Sequence, residues 1–157
     1  MKKLNLYIAA PLFSQAELEF NIKVKEILSP YFKVFLPQEN AGLLIEMVKN
    51  GMTIPKAGKL VFNRDLKTIK KMNLILIILD GQTVDEGASF ELGYGFAKNK
   101  KCFGLQTDPR KPFLTGNNAM IAYSCQKIFN SLNSLKKWAK NYNKKRGGPD
   151  SNRQPPA

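Results

Sequence analysis

The sequence predicts an α/β fold, a three-layer sandwich in which a five-stranded parallel sheet is covered by helices on both faces. Three observations carry the prediction. Short apolar runs of strand length alternate along the chain with longer segments of helical periodicity. The strongest run, LILIILD at 74–80, is apolar at successive positions and not only at every second one, as a central strand buried on both faces requires. The length, 157 residues, supplies one core and is too short for two ordinary domains.

Each element follows in order. Residues 4–9, LNLYIA, form a first strand stopped at Ala10-Pro11. Ser14 and Glu17 have capping-box spacing, and Ala16, Phe20, Val24, Ile27 and Tyr31 recur at helical intervals, so a helix spans 15–28 and ends near Ser29-Pro30. FKVFL at 32–36 is a second strand halted by Pro37. A helix over about 41–50 places Ala41, Leu44, Ile45 and Val48 on one face and stops at Gly51. Gly51, Pro55 and Gly58 mark 51–58 as a loop or lid. The next helix, 59–72, has Phe62, Leu66 and Ile69 as its inward stripe.

After the central strand, 87–98 is helical, KCFGLQ at 101–106 is a fourth strand and QKIFN at 126–130 a short fifth. A last helix over 131–143 turns Leu132, Leu135, Trp138, Ala139 and Tyr142 inward. Residues 1–143 thus make a single domain. Residues 144–157, basic and then rich in Gly, Pro, Ser and Asn, are expected to be a disordered tail. Right-handed crossovers give these strands the flavodoxin-like order 2-1-3-4-5, whose ligands bind beyond the carboxyl ends of the strands at the switch between the first and third.

Composition removes whole classes of chemistry. The chain has no histidine, which excludes Ser-His-Asp and Cys-His nucleophile pairs, His-ligated zinc and imidazole acid/base catalysis. The two cysteines, Cys102 and Cys125, are far apart in sequence and read as core thiols of a reducing compartment. Pro11 breaks the apolar N-terminal stretch and nothing approaches the length of a membrane span, so a cytoplasmic protein without membrane contact is expected. The net charge of +13 is uneven: residues 1–91 hold 12 Lys and Arg against 10 Asp and Glu, and residues 92–157 hold 13 against 2. Without interleaved aromatics or a nucleic-acid motif, the basic half reads as a solvated surface, and nucleic acid is not an expected partner.

The carboxylates concentrate in DGQTVDEGASFELGYGFAKNKK, which holds Asp80, Asp85, Glu86 and Glu91 with the small residues Gly87, Ala88 and Ser89 between them. Small residues at a helix start admit a ligand close to the backbone. A carboxylate in the early turns of that helix is kept ionised by the dipole and is fit to act as a nucleophile, which makes Glu91 a candidate. Equally, Asp85 could cap the helix while Glu91 lies on its solvated face. No GxGxxG follows the first strand, and there is no P-loop and no acidic pair of a phosphoacceptor.

Taken together and in order, YIAAPLFSQAELEFN, VFLPQEN, FNRDL, DGQTVDEGASFELGYGFAKNKK and NNAM at 117–120 resemble the nucleoside 2-deoxyribosyltransferase family over roughly residues 5–129, with Ala10 where Gly is commoner. The resemblance implies a homo-oligomer, a dimer or larger with shared active sites, that exchanges nucleobases on 2'-deoxyribonucleosides. It places the family's nucleophilic glutamate on Glu91, the aspartate that protonates or positions the leaving base on Asp65, and the tyrosine that steadies the nucleophile on Tyr7. Asp85 falls on the aspartate near the sugar 5'-hydroxyl, followed by Gly87 at the close-approach turn. Phe13 packs near the base, Gln38 and Asn40 lie where the base is recognised, and Asn118 and Met120 belong to a segment contributed at the subunit interface. No metal or organic cofactor is implied, because the substrate carries its own leaving group.

Two other functions compete. A related group hydrolyses 2'-deoxynucleoside 5'-monophosphates with water in place of the incoming base, and typically has a small hydroxyl residue where this chain has Asp85. A carboxylate beside a dianionic phosphate is repulsive, which favours an unphosphorylated nucleoside unless Arg110 or Lys111 compensates. A non-catalytic nucleoside- or nucleic-acid-binding module would show steep salt dependence and indifference to Glu91→Ala.

Overall fold

The computed structural model describes residues 2–40, 42–110 and 116–146. Five parallel strands, β1 (Asn5–Ala9), β2 (Lys33–Phe35), β3 (Leu74–Ile78), β4 (Lys101–Leu105) and β5 (Ile128–Phe129), form one sheet in the order β2-β1-β3-β4-β5. This is the flavodoxin-like order expected. Among the described residues six α-helices accompany them: α1 (Gln15–Leu28), α2 (Gly42–Lys49), α3 (Ile54–Lys71), α4 (Glu86–Ala97), α5 (Ala119–Ser124) and α6 (Leu132–Arg146), with a 3-10 turn at Pro37–Asn40.

The pleat of β1 divides its side chains between two cores. Leu6 and Ile8 join Leu74, Leu76, Ile78, Phe103 and Leu105 against α1 and α6, where Val24, Leu28, Leu135 and Ala139 are buried. Tyr7 and Ala9 join Ile75, Ile77, Leu79 and Cys102 on the opposite face, covered by Ile69 of α3 and by Ala88 and Leu92 of α4. Every residue of β3 is buried, which explains its uninterrupted apolar run. The capping box of α1 is formed as expected: Glu17 N–H donates to Ser14 Oγ and Ser14 N–H donates to the Glu17 carboxylate at 2.8 Å.

Several expectations need correction. The segment 51–58 is not a loop or lid throughout, because α3 begins at Ile54. Pro55 sits in the first turn, where a missing N–H costs nothing, and Gly58 is carried inside the helix. Phe62 is consequently half exposed and not part of an inward stripe; it meets the ring of Phe90 on α4 at 6.0 Å. Ile45 is exposed, and α2 packs chiefly on α3 and the 3-10 turn. Ala16 is exposed in the first turn of α1. The short helix α5 was not expected, and α6 continues three residues past 143. The rest of the tail, 147–157, Ala41 and Lys111 lie outside the described residues.

Candidate active site

The site starts from β1. Tyr7 pairs in register with Phe35 of β2 and Ile75 of β3, so its ring is fixed at the middle of the sheet, fully buried and stacked 5.3 Å from Phe35. Its hydroxyl reaches up to α4 and donates to Glu91 Oε1 at 2.5 Å. Glu91 is delivered there by the way α4 begins and by how closely it lies on the sheet. Asp85 is the N-cap, its Oδ2 accepting from Ala88 N–H at 2.8 Å. One turn beyond Glu91, Gly95 lies against β3 so tightly that a Cβ would sit 2.7 Å from Ile75 Cγ1. No side chain fits between helix and strand at that point. Asp85 therefore does cap the helix, but Glu91 does not lie on a solvated face.

Burial is the largest influence on the Glu91 carboxyl, and Asp65 and Asp85 push in the same direction; against the Tyr7 hydrogen bond, they raise it to about 7. The helix dipole invoked from sequence is outweighed by desolvation, which penalises the charged form. The Tyr7 phenol is driven far above its ordinary range by burial first and then by Glu91, so it keeps its proton and acts as a donor. Asp65 is mostly buried on α3, where it accepts from Arg64 Nε at 3.0 Å, and its charge is felt at both Tyr7 and Glu91.

A cleft of about 400 Å³ opens at the start of α4, lined by Phe13, Thr83, Val84, Asp85, Glu86 and Gly87. Tyr7, Glu91, Asp65 and Asp85 thus interact electrostatically, and Asp85 links them to a cleft that also holds Phe13 and Gly87. Phe13 is 80% exposed. Asn118 caps α5, accepting from Met120 N–H at 2.9 Å, and Met120 is 79% exposed on a helix that packs against α4. Gln38 is committed within the fold: its Oε1 accepts from Asn21 and its Nε2 donates to Leu18 O. Asn40 is exposed at the end of the 3-10 turn. Among the described residues no group of His, Cys, Asp and Glu is arranged to hold a metal ion, and no helix is long and apolar enough to cross a membrane.

Two supporting residues, Asn21 and Arg64, escaped the sequence reading, and Asp80 entered it only as one of four clustered carboxylates. Buried Asn21 donates to Pro11 O and Gln38 Oε1, both at 2.8 Å, and so ties together the loops after β1 and β2. Its signal was an asparagine three residues before Val24 on an apolar stripe. Asp80 accepts from Thr107 N–H, Thr107 Oγ1 and Asp108 N–H, fastening the end of β3 to that of β4. Arg64, next to Asp65, was visible only as an adjacent charge pair. Arg110 is engaged by Asp108 through its Nε and Nη2.

The model of a family described as nucleoside 2-deoxyribosyltransferase matches residues 6–133. A protein of Ureaplasma parvum serovar 3 with no assigned function is 29% identical over 152 residues, 85% of this chain and 93% of that one. Among solved structures, the 2-deoxyribosyltransferase of Bacillus psychrosaccharolyticus is 25% identical with a TM-score of 0.70, over 84% of this chain and 90% of that one. The CMP N-glycosidase of Clostridium botulinum shares the fold at 15% identity and a TM-score of 0.54, over 87% and 98%.

Proposed function

This chain belongs to the nucleoside 2-deoxyribosyltransferase family, and from that premise we propose that it moves 2-deoxyribose between nucleobases of 2'-deoxyribonucleosides through a covalent ester at Glu91. The observation that carries the reading is the partly buried Glu91 carboxylate, held by the Tyr7 hydroxyl, with Asp65 and Asp85 near enough for their charges to act on it. A carboxylate that titrates near neutrality is partly ionised at working pH and poorly solvated, which suits attack at an anomeric carbon.

In the first step a Glu91 oxygen bonds to C1' as the C1'–N bond breaks and its electron pair leaves with the base. Asp65 places or supplies the proton that the base takes up. The positive charge that builds on the sugar is met by Glu91 and by the two carboxylates, Asp65 and Asp85, that raise its pKa, so the repulsion between them in the free enzyme becomes attraction at the transition state. The incoming base then opens the ester from the opposite face, and two inversions give retention. Asp85 donates nothing to a phosphate; with Oδ2 held by Ala88 N–H, its other oxygen accepts from the sugar 5'-hydroxyl. Phe13 and Gly87, in the same cleft, bound the substrate on that side.

Exposed Phe13, Met120 and Tyr123 are apolar surface for a second copy of the chain, which would complete the site with Asn118 and Met120. The cysteines are free thiols, raised by burial to about 11 at Cys102 and about 12 at Cys125, in keeping with inert core positions in a cytoplasmic protein.

The test is a chromatographic time course with thymidine or deoxyinosine, with and without adenine, beside deoxy-GMP alone and a Glu91→Ala control. Deoxyadenosine formed only by the unaltered protein is the expected result. Base released mainly from the monophosphate would make the protein a nucleotide N-glycosidase and overturn the role given to Asp85.

A further inference from the structure

Arg64 pairs with Asp65, one of the carboxylates felt at Glu91, yet only part of its guanidinium is used. Its Nε donates to Asp65 Oδ1 at 3.0 Å, and 28% of its side chain is exposed. Its Nη1 is buried and finds no hydrogen-bond partner among the described residues. A buried guanidinium donor without an acceptor is unfavourable in the free protein, and an acceptor on a bound ligand would relieve that cost. The guanidinium lies near enough to the Tyr7 hydroxyl for its charge to oppose those of Glu91 and Asp65 there. Its Nε contact with Asp65 keeps the guanidinium on the same stretch of α3 as that carboxylate.

We propose that Arg64 contacts the leaving nucleobase, its Nη1–H donating to a ring-nitrogen or oxo acceptor and carrying the negative charge that builds on the base as the C1'–N bond breaks. The inference rests on Glu91 being the nucleophile. In the step, C1' exchanges its bond to the base nitrogen for one to a Glu91 oxygen, and the electron pair passes to the base. Arg64 loses no proton, because a guanidinium does not deprotonate in proteins; its part is electrostatic, and placing the proton is left to Asp65. Any base with an acceptor next to its glycosidic nitrogen fits, a pyrimidine through its 2-oxo group or a purine through N3.

Leaving-group chemistry tests this directly. The series is thymidine, deoxyuridine, 5-bromo- and 5-fluorodeoxyuridine, with deoxyinosine and 6-chloropurine deoxyriboside as the purine pair, each with kcat and KM measured. A poor leaving base needs more charge stabilisation than an acidic one. Arg64→Met is expected to lower kcat/KM about 100-fold for thymidine, the range of a single lost charge-stabilising donor, and less than about 10-fold for 5-fluorodeoxyuridine. Arg64→Lys, which keeps the charge and loses the fork, should fall between the two and carries the test if Arg64→Met does not fold. An equal loss across the series would mean that Arg64 acts only through the placement of Asp65, and no loss would mean that it has no part; either overturns the proposal. An unaltered protein inert toward every substrate overturns the base-exchange reading itself, and the proposal with it, before any variant is made.

Discussion

The two faces of the sheet are built by the same strands and differ in what they bury. Under α1 and α6 the core is dry and aromatic: Trp138 lies 4.5 Å from Phe103, 5.0 Å from Tyr142 and 5.1 Å from Phe129, and Phe32 stacks on it at 5.6 Å. Under α3 and α4 the core is equally closed around Tyr7, but a partly buried carboxylate, Glu91, meets it there and the charges of two more act on it. One strand, β1, serves both, with Leu6 and Ile8 on the first face and Tyr7 on the second. Packing on the first face is spent on stability. On the second it is spent on raising the energy of a charged group, a cost accepted where chemistry needs it.

Substitutions on the two faces should therefore have opposite signatures. Glu91→Gln is expected to reduce base exchange by at least about 1000-fold, since no other nucleophile replaces it. The same change should stabilise the fold. A carboxyl raised to about 7 favours folding below its unfolded value near 4.5, and that contribution is lost as pH rises through about 7. The gain in melting temperature of Glu91→Gln over the unaltered protein should accordingly be larger at pH 8 than at pH 4.5, by a difference on the order of 1–3 kcal/mol in stability. Thermal scans at the two pH values check it.

Trp138→Ala, on the other face, should cost about 3 kcal/mol in denaturant unfolding while leaving KM and kcat of the folded protein unchanged. Gly95→Ala tests the junction between the regions. A methyl group placed 2.7 Å from Ile75 Cγ1 forces α4 off β3, with an expected loss of about 1–3 kcal/mol and a parallel fall in activity as Glu91 moves away from Tyr7. The smallest effect is that of Tyr7→Phe on the pH profile. The Tyr7 hydrogen bond is the one influence that lowers the Glu91 pKa, so its removal should shift the acid limb of kcat/KM, expected near pH 7, upward by about one unit. An unmoved limb would show that Tyr7 only packs.

The sequence was most informative where local and global signals agreed. The apolar β3 run, the capping box at Ser14 and the inward stripe of α6 each followed from residue pattern alone, because burial and propensity pointed the same way. It was least informative at α2 and α3, where helix face depends on what packs there. Ile45 and Phe62 have core-like spacing, yet both are more than a third exposed. Pro55 and Gly58 read as breakers, although a first-turn proline and an open interior glycine are both tolerated.

At the site, the small residues and carboxylates of α4 drew attention to Asp85 and Glu91 before any contact was known. Composition could not decide whether Glu91 faced inward; that depends on Gly95 and Ile75, which share no local pattern. Gln38 shows the reverse case. The resemblance put it where the base is recognised; in the fold its amide is bound at both ends by α1, a tertiary contact that leaves no trace in spacing.

The most direct test of the account is the intact mass of the protein after incubation with a 2-deoxy-2-fluoro nucleoside, which slows release of the sugar once it is attached. One added fluorosugar, mapped by peptide sequencing to Glu91 and missing in Glu91→Gln, is the expected result. An unmodified mass in protein that still turns over nucleosides would contradict the covalent role given to Glu91.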